Sequence, residues 1–258
     1  MRFIAGLQYR AAALAGIATQ FAWGFMGILA FKAFYETDPT AFPMTFRQLS
    51  SYIWMQQAFL ALFMVWFFDK DIFALIESGD VAYELARPAD IYALWFVKNL
   101  AARVSRAVLR CFPIFAVAAF LPDPYGMSFP ADLPSALLFI PTMLLSALTV
   151  VAFCMIVYAL SFRTISSMGI RAVAASLSEL LSGAVVPIPF FPEPVRRVVE
   201  LTPFASMQNL PLRIYTGNIA GADALRAVAI QLFWLAALVT IGRLLLARAI
   251  RRAAIQGG

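Results

Sequence analysis

The sequence predicts an all-α integral membrane protein, a single domain of six transmembrane helices with both termini on the inner side. Three observations predict it. The 258 residues are 62% apolar and only 13% charged, with a mean hydropathy of +0.82, whereas soluble domains run near ~25% charged. Several uncharged runs reach about 20 residues, the length that carries a helix across a bilayer. These runs also lack the apolar–polar alternation of barrel strands.

The first uncharged run is Ala11 to Phe31, 21 residues between Arg10 and Lys32. It is the first span, expected to be retained because no small-residue cleavage site precedes it. Before it, Phe3, Ile4, Leu7, Ala11 and Leu14 share one helical face, with Arg2 and Arg10 off it. This is either a short interfacial helix or the ragged start of the span. A short loop with Pro39 and Pro43 leads to the second span, Gln48 to Phe68, with Trp54 and Trp66 expected as interfacial anchors near its ends.

The stretch 69–90 is charged. Asp69 to Glu77 suits a turn or two of helix, Gly79-Asp80 breaks it, and a second short helix covers Val81 to Ala86 before Pro88 disfavours helical geometry at Arg87. A long helix follows from about Ile91 to Leu121, crossing the membrane over 100–121. Lys98, Arg103 and Arg106 are expected to snorkel to the inner surface, with Arg110 drawn into the membrane. Leu133 to Phe162, 30 uncharged residues, is the fourth span, tilted or kinked at Pro141.

The fifth span covers 170–186 and carries Glu179; Pro187, Pro189, Pro192 and Pro194 end it. The segment 193–221 reads as two short, broken helices at or dipping into the membrane face. Val195, Val198, Val199 and Leu201 oppose Arg196, Arg197 and Glu200 in the first, and Thr202-Pro203 is a helix-start signal. Asn209-Leu-Pro211 and Tyr215-Thr-Gly217 read as turns. The sixth span, 223–246, starts at Asp223 as N-cap and leads into a basic tail.

Counting Lys and Arg with the N-terminus inside places 14 in the inner segments and 6 in the outer ones. The charge bias therefore turns both termini and the stretch 69–90 towards the cytoplasm. Four arginines in the outer segment (Arg196, Arg197, Arg213, Arg226) run against the bias, so that segment is expected to do more than connect; they are placed to meet lipid phosphates.

The residue inventory excludes several chemistries. There is no histidine, which removes His-based metal sites and catalytic triads. No glycine-rich loop precedes a Lys-Ser or Lys-Thr pair, so the chain itself has no phosphate-binding loop. CxxC, HExxH and GxSxG are absent too. Cys111 and Cys154 lie in apolar runs and read as small core residues. Ionisable groups within spans are costly and functional by default. Glu179, with Arg171 two turns earlier and Gln57 in the second span, is therefore a candidate translocation path. The plainer reading is buried polar contact, Glu179 facing Arg110 or a partner subunit, and the glutamines Gln56 and Gln57 bonding between helices.

The order of these features resembles the membrane subunit, or permease, of the type-two class of ABC exporters. The pattern of that class after the second span is carried by Gly79, Glu84, Leu85 and Pro88, and Tyr83-Glu-Leu-Ala-Arg-Pro-Ala-Asp90 is similar to a bacterial subgroup with Leu-x-Arg-Pro followed by a small residue and Asn. Asp90 departs from that Asn. Thr202-Pro203-Phe204 and Pro211 through Ile214-Tyr215-Thr216-Gly217 look like the same subgroup's segment before the last span.

The resemblance implies an ATP-driven exporter in the bacterial cytoplasmic membrane. The chain itself would bind no cofactor, ATP and Mg being used by a separate cytoplasmic ABC ATPase. It implies a second six-span permease beside this one, a heterodimer before a homodimer, and contact with membrane lipid but not nucleic acid. It makes the stretch after the second span a coupling helix limited by Gly79 and Pro88. Val81 belongs to that helix, Tyr83 and Leu85 are its anchors in the ATPase cleft, and Asp80, Glu84 and Arg87 are rim contacts. A solvated loop with ordinary capping is the plainer reading of the same residues. A stand-alone secondary transporter or channel is the alternative, and a membrane-embedded transferase using Asp69, Asp71 and Asp80 with a metal is a third. An apolar lining suits a lipid, a hydrophobic drug or a peptide.

Overall fold

A computed structural model describes residues 10–85, 88–164 and 166–256, and the described residues are helical with turns. The expected interfacial helix before Ala11 lies largely outside them. In chain order the helices are α1 (Arg10–Thr37), α2 (Phe46–Ala58), α3 (Leu60–Phe63), α4 (Lys70–Ser78), α5 (Val81–Leu85), α6 (Ile91–Phe120), α7 (Leu133–Ser161), α8 (Met168–Leu181), α9 (Glu193–Glu200), α10 (Asn209–Tyr215) and α11 (Gly221–Gln256). Among the described residues, three stretches are long and apolar enough to cross a membrane: Gly16–Thr37, Leu133–Ser161 and Gly221–Arg252.

Helix α7 is the spine. It packs along α11 and also touches α10, α6, α3, α8 and α4. Its 29 residues are uncharged, and Val150, Val151, Cys154, Met155 and Tyr158 are fully enclosed. Such a helix has no exposed polar face and is stable only when surrounded. The flanking layer is α1, α2 and α6, which share a cluster of Ile28, Trp54, Cys111 and Ile114.

The second expected span, 48–68, is not one helix. It runs as α2, turns at Phe59, makes one further turn as α3 and leaves helical geometry at Met64. No glycine or proline lies between Gln48 and Phe68, so local sequence does not break it. The break is held by Arg103. Its Nη1 donates to the carbonyl of Met64 at 2.8 Å and more loosely to those of Ala61 at 3.3 Å and Leu62 at 3.5 Å. Nη2 reaches the carbonyl of Val65 at 3.5 Å and Cys154 Sγ at 3.3 Å. These are carbonyls that a helix terminus leaves without an intrahelical donor, and Arg carries a planar fork of five N–H groups. Arg103 is 0% exposed. The expectation that it snorkels to the surface is therefore corrected: the backbone it caps holds it inside.

Trp54 is likewise not an interfacial anchor. It is fully buried, its indole N–H donates to the carbonyl of Tyr125 at 2.7 Å, and its ring lies against Gly24, where an added Cβ would sit 2.7 Å from it. Trp66 is 44% exposed and stacks on Phe67. The expected fifth span stops early. Helix α8 has 14 residues, about 21 Å long, against a hydrocarbon core of about 30 Å. Gly183, with φ of +82°, and the turn after it carry the chain away. The last helix begins at Gly221 rather than Asp223 and runs ten residues past Leu246. Helix α7 is continuous through Pro141, and α6 matches the expected long helix.

Replacing Arg103 tests the broken helix. Arg103→Met leaves several buried carbonyls without a donor, at about 1–3 kcal/mol each. The expected outcome is a fall of about 3 kcal/mol or more in unfolding free energy, measured by denaturant titration in detergent. Arg103→Lys restores little, because an ammonium does not reproduce the guanidinium fork.

Candidate functional site

The stretch between α3 and α6 is a seated element. Asp69 caps α4 by accepting from the amide of Asp71 at 3.0 Å. Ile72 and Phe73 turn inward against Phe68, Trp95 and Tyr158. Gly79 ends α4 with φ of +80°, in the left-handed region, with open space around it, so glycine is required there by backbone angle and not by crowding. Val81 begins α5 and is buried in the same cluster.

On α5, Tyr83 is 77% exposed and Leu85 40% exposed. Asp80 is exposed and accepts from the hydroxyl of Ser78 at 2.7 Å. Pro88 lies in an exposed bend, and Arg87 lies outside the described residues. Glu84 corrects the sequence reading. It is not a rim residue: its side chain turns inward and accepts from Trp95 Nε1 at 2.5 Å, with Lys98 Nζ at 4.0 Å.

Four polar ties hold the element to the bundle. Glu84 binds α6 through Trp95. The amide of Asp69 donates to the hydroxyl of Tyr158 on α7 at 2.8 Å. That hydroxyl also accepts from Asn99 at 2.7 Å, and Asn99 accepts from Arg103 Nε at 2.7 Å. Glu77 accepts from the amide of Ser167, just before α8, at 2.8 Å. Asp90 caps α6 and pairs with Arg243 of α11 at 2.9 Å, whose guanidinium also lies over the Tyr92 ring. The sequence reading missed Asn99 and Tyr158 and placed Arg103 at the surface. A signal was present: Asn99 and Arg103 are spaced i, i+4 and share a helix face.

The three residues expected to line a path are not brought together. Arg171 lies over the ring of Phe73, 4.8 Å from its centroid. Gln57 is buried at the end of α2, where its carbonyl accepts from Gln20. Glu179 is half-buried and has no ion-pair partner among the described residues. Its expected partner Arg110 instead lies beside Gly16 and over Phe67. Gln56 does bond between elements, donating to the carbonyl of Ala184 at 2.6 Å.

A second assembly surrounds α9 and α10. The two short helices are present, but Thr202-Pro203 starts neither. The Thr202 hydroxyl donates back to the carbonyl of Val199 at 2.7 Å, a C-terminal role, and 203–208 form turns. Helix α10 begins at Asn209, so Asn209-Leu-Pro211 is its first turn and not a break. Phe204 packs on Phe153. Arg213 pairs with Glu200 at 2.5 Å and donates to Asn218 at 2.7 Å, while Arg197 pairs with Glu193. Arg196 is half-buried. Gln231 of α11 donates to the carbonyls of Thr142 and Ser206, pinning the turn between α7 and α11. A cavity of about 590 Å³ opens beside this assembly, lined by Arg197, Glu200, Arg213, Asp223, Arg226 and Ile230 among others.

Among the described residues no group of three or more His, Cys, Asp or Glu is arranged to hold a metal ion. Asp69, Asp71 and Asp80, the acids of the transferase reading, do not converge on one.

These features define a helical membrane protein with a braced, partly apolar element between α3 and α6 and no catalytic constellation among its described residues. Residues 21–257 match the ABC-2 family transporter protein family, and the chain belongs to it. It is a non-catalytic membrane component of that family, whose permeases act with an ABC ATPase. No curated protein and no solved structure matches the chain.

The Glu77 tie has a pH signature. The amide and hydroxyl of Ser167 hold the Glu77 carboxyl below its ordinary value of 4.5. A carboxyl whose pKa is depressed on folding contributes above its unfolded value and is lost as pH falls through the folded one. The Ser167 amide should therefore stay protected from hydrogen exchange at neutral pH and lose protection only below about pH 4.5. Glu77→Ala should remove that protection at every pH.

Proposed function

We propose that this chain is the membrane-spanning subunit of an ATP-driven exporter of the bacterial cytoplasmic membrane. In this reading six segments cross the bilayer: α1, α2 with α3, α6, α7, α8 with the turn after it, and α11. Both termini and the element α4–α5 face the cytoplasm, as the excess of Lys and Arg on that side supports. The subgroup resembled through Leu85, Arg87 and Pro88 favours a second, different permease as partner. The cargo crosses between the two subunits and is of an apolar class: a lipid, a hydrophobic drug or a peptide.

One observation carries the reading. Tyr83 and Leu85 are exposed on a short helix that Val81 and Glu84 seat against the bundle, and the flanking residues Asp69 and Asp90 are tied to α7 and α11. An exposed aromatic–aliphatic pair on a rigid base is the form of an interface anchor. The chain has no phosphate loop, so the motive step belongs to whatever seats on that pair. The cleft of a cytoplasmic ABC ATPase takes Tyr83 and Leu85, Asp80 and Arg87 lie at its rim, and closure of the ATPase moves the element as a unit. ATP and Mg stay with the ATPase. Gly79 and Pro88 limit the docking helix, and Val81 and Glu84 fasten it from below.

Co-purification tests this. Tagged wild-type chain, co-expressed with its ATPase, should bring the ATPase down. Tyr83→Asp with Leu85→Asp should abolish that capture and transport, while leaving the thermal midpoint of the purified chain unchanged, since both side chains are exposed. Undiminished capture and transport by the double variant would overturn the reading. So would transport by the chain alone in liposomes.

A further inference from the structure

The cavity between α9, α10 and the start of α11 is used by none of the contacts derived above. We infer that it binds the oxyanion headgroup of an anionic phospholipid. Its walls carry three arginines, Arg197, Arg213 and Arg226, against two carboxylates, Glu200 and Asp223. Two of the arginines are engaged: Arg213 is fixed between Glu200 and Asn218, and Arg197 is paired with Glu193. Arg226 is exposed and has no ion-pair partner among the described residues. It is the open cation of the cavity.

Beside these charges the lining holds the polar residues Ser206, Asn209 and Asn218 and the apolar residues Leu201, Leu210, Ile219, Ala227 and Ile230. A free inorganic anion gains nothing from the apolar residues, whereas an amphiphile uses both kinds. The surroundings put the mouth at headgroup depth. Helix α9 presents Val195 and Val198 outward, 48% and 66% exposed, beside its charged residues. That is the form of a helix lying in a membrane interface. Trp234 stands next to it, its indole N–H donating to the carbonyl of Leu201 at 2.8 Å, and Trp is enriched at that depth. At about 590 Å³ the cavity has room for a phosphodiester headgroup. The inference rests on the cavity alone and stands apart from the cargo and the ATPase.

The test uses the purified chain in phosphatidylcholine nanodiscs titrated with phosphatidylglycerol, with retained lipid counted by native mass spectrometry. The wild type should retain phosphatidylglycerol in preference to phosphatidylcholine. Arg226→Gln should weaken that retention about tenfold, the effect of losing one charge-assisted hydrogen bond. Ala227→Glu, which places a carboxylate in the cavity, should abolish the preference. Arg196→Gln makes the same charge change on the neighbouring helix α9, outside the cavity, and should leave retention unchanged. Inorganic phosphate at millimolar concentration should not displace the lipid. Equal retention by Arg226→Gln and wild type overturns the inference. An equal loss in Arg196→Gln overturns it in favour of diffuse surface charge, and displacement by inorganic phosphate overturns it in favour of a free-anion site.

Discussion

The fold depends on one guanidinium. Helix α3 ends inside the protein with its last carbonyls pointing away from any helical donor, and Arg103 supplies the donors. In water such carbonyls bind solvent. In an apolar bundle each one left bare is costly, so a broken helix survives only where something replaces the water. Arg suits that place better than Lys because its five N–H groups reach several oxygens from one plane. Burying the cation is itself expensive, and the cost is offset only because nearly every donor finds a partner: the backbone of 61–65, Asn99 and Cys154. The same contacts fix where the chain leaves the bundle, at Met64, and hence where the charged element that follows begins.

That element inherits its rigidity from the network. Tyr158 sits between the two: its hydroxyl accepts from Asn99, which orients Arg103, and from the amide of Asp69, which opens α4. A shift of α4 therefore strains the contacts that hold the break in α2–α3. The remaining ties act at other points of the element: Glu77 to the turn before α8, Glu84 to α6, Asp90 to α11. A solvated loop has no such set of ties.

What was legible in the sequence is what local chemistry decides. The long helix from about Ile91 to Leu121 was legible in this way, and Asp90 caps its start. The division of the charged element follows from Asp69, Gly79 and Pro88, each acting on its own backbone. The misreadings have a common cause, which is that the deciding partner is distant in sequence. Residues 48–68 are uniformly apolar without a breaker, and the residue that ends their helix stands about forty positions later. Trp54 looks interfacial by position, and only Gly24 on another helix shows that its ring has a slot. Glu84 looks like a solvated charge until Trp95 is seen to face it. Thr202-Pro203 carries a correct helix-start signal, yet the Thr202 hydroxyl is taken by the end of α9.

The charged element and the α9–α10 assembly meet on α7. At one end Tyr158 holds the opening of α4. Twelve residues away, about 18 Å along the helix, Ser146 donates to the carbonyl of Ser206 in the turn before α10, with Gln231 of α11 bonded to the same carbonyl. The Ser146 contact is buried and the Tyr158–Asp69 contact partly so, and both are made by a helix that is enclosed over most of its length. An α-helix of this kind transmits displacement with little bending, because its hydrogen bonds are internal and its surroundings are close-packed. The charged element 69–90 and the α9–α10 assembly are thus fastened to the C-terminal end and the middle of a single helix.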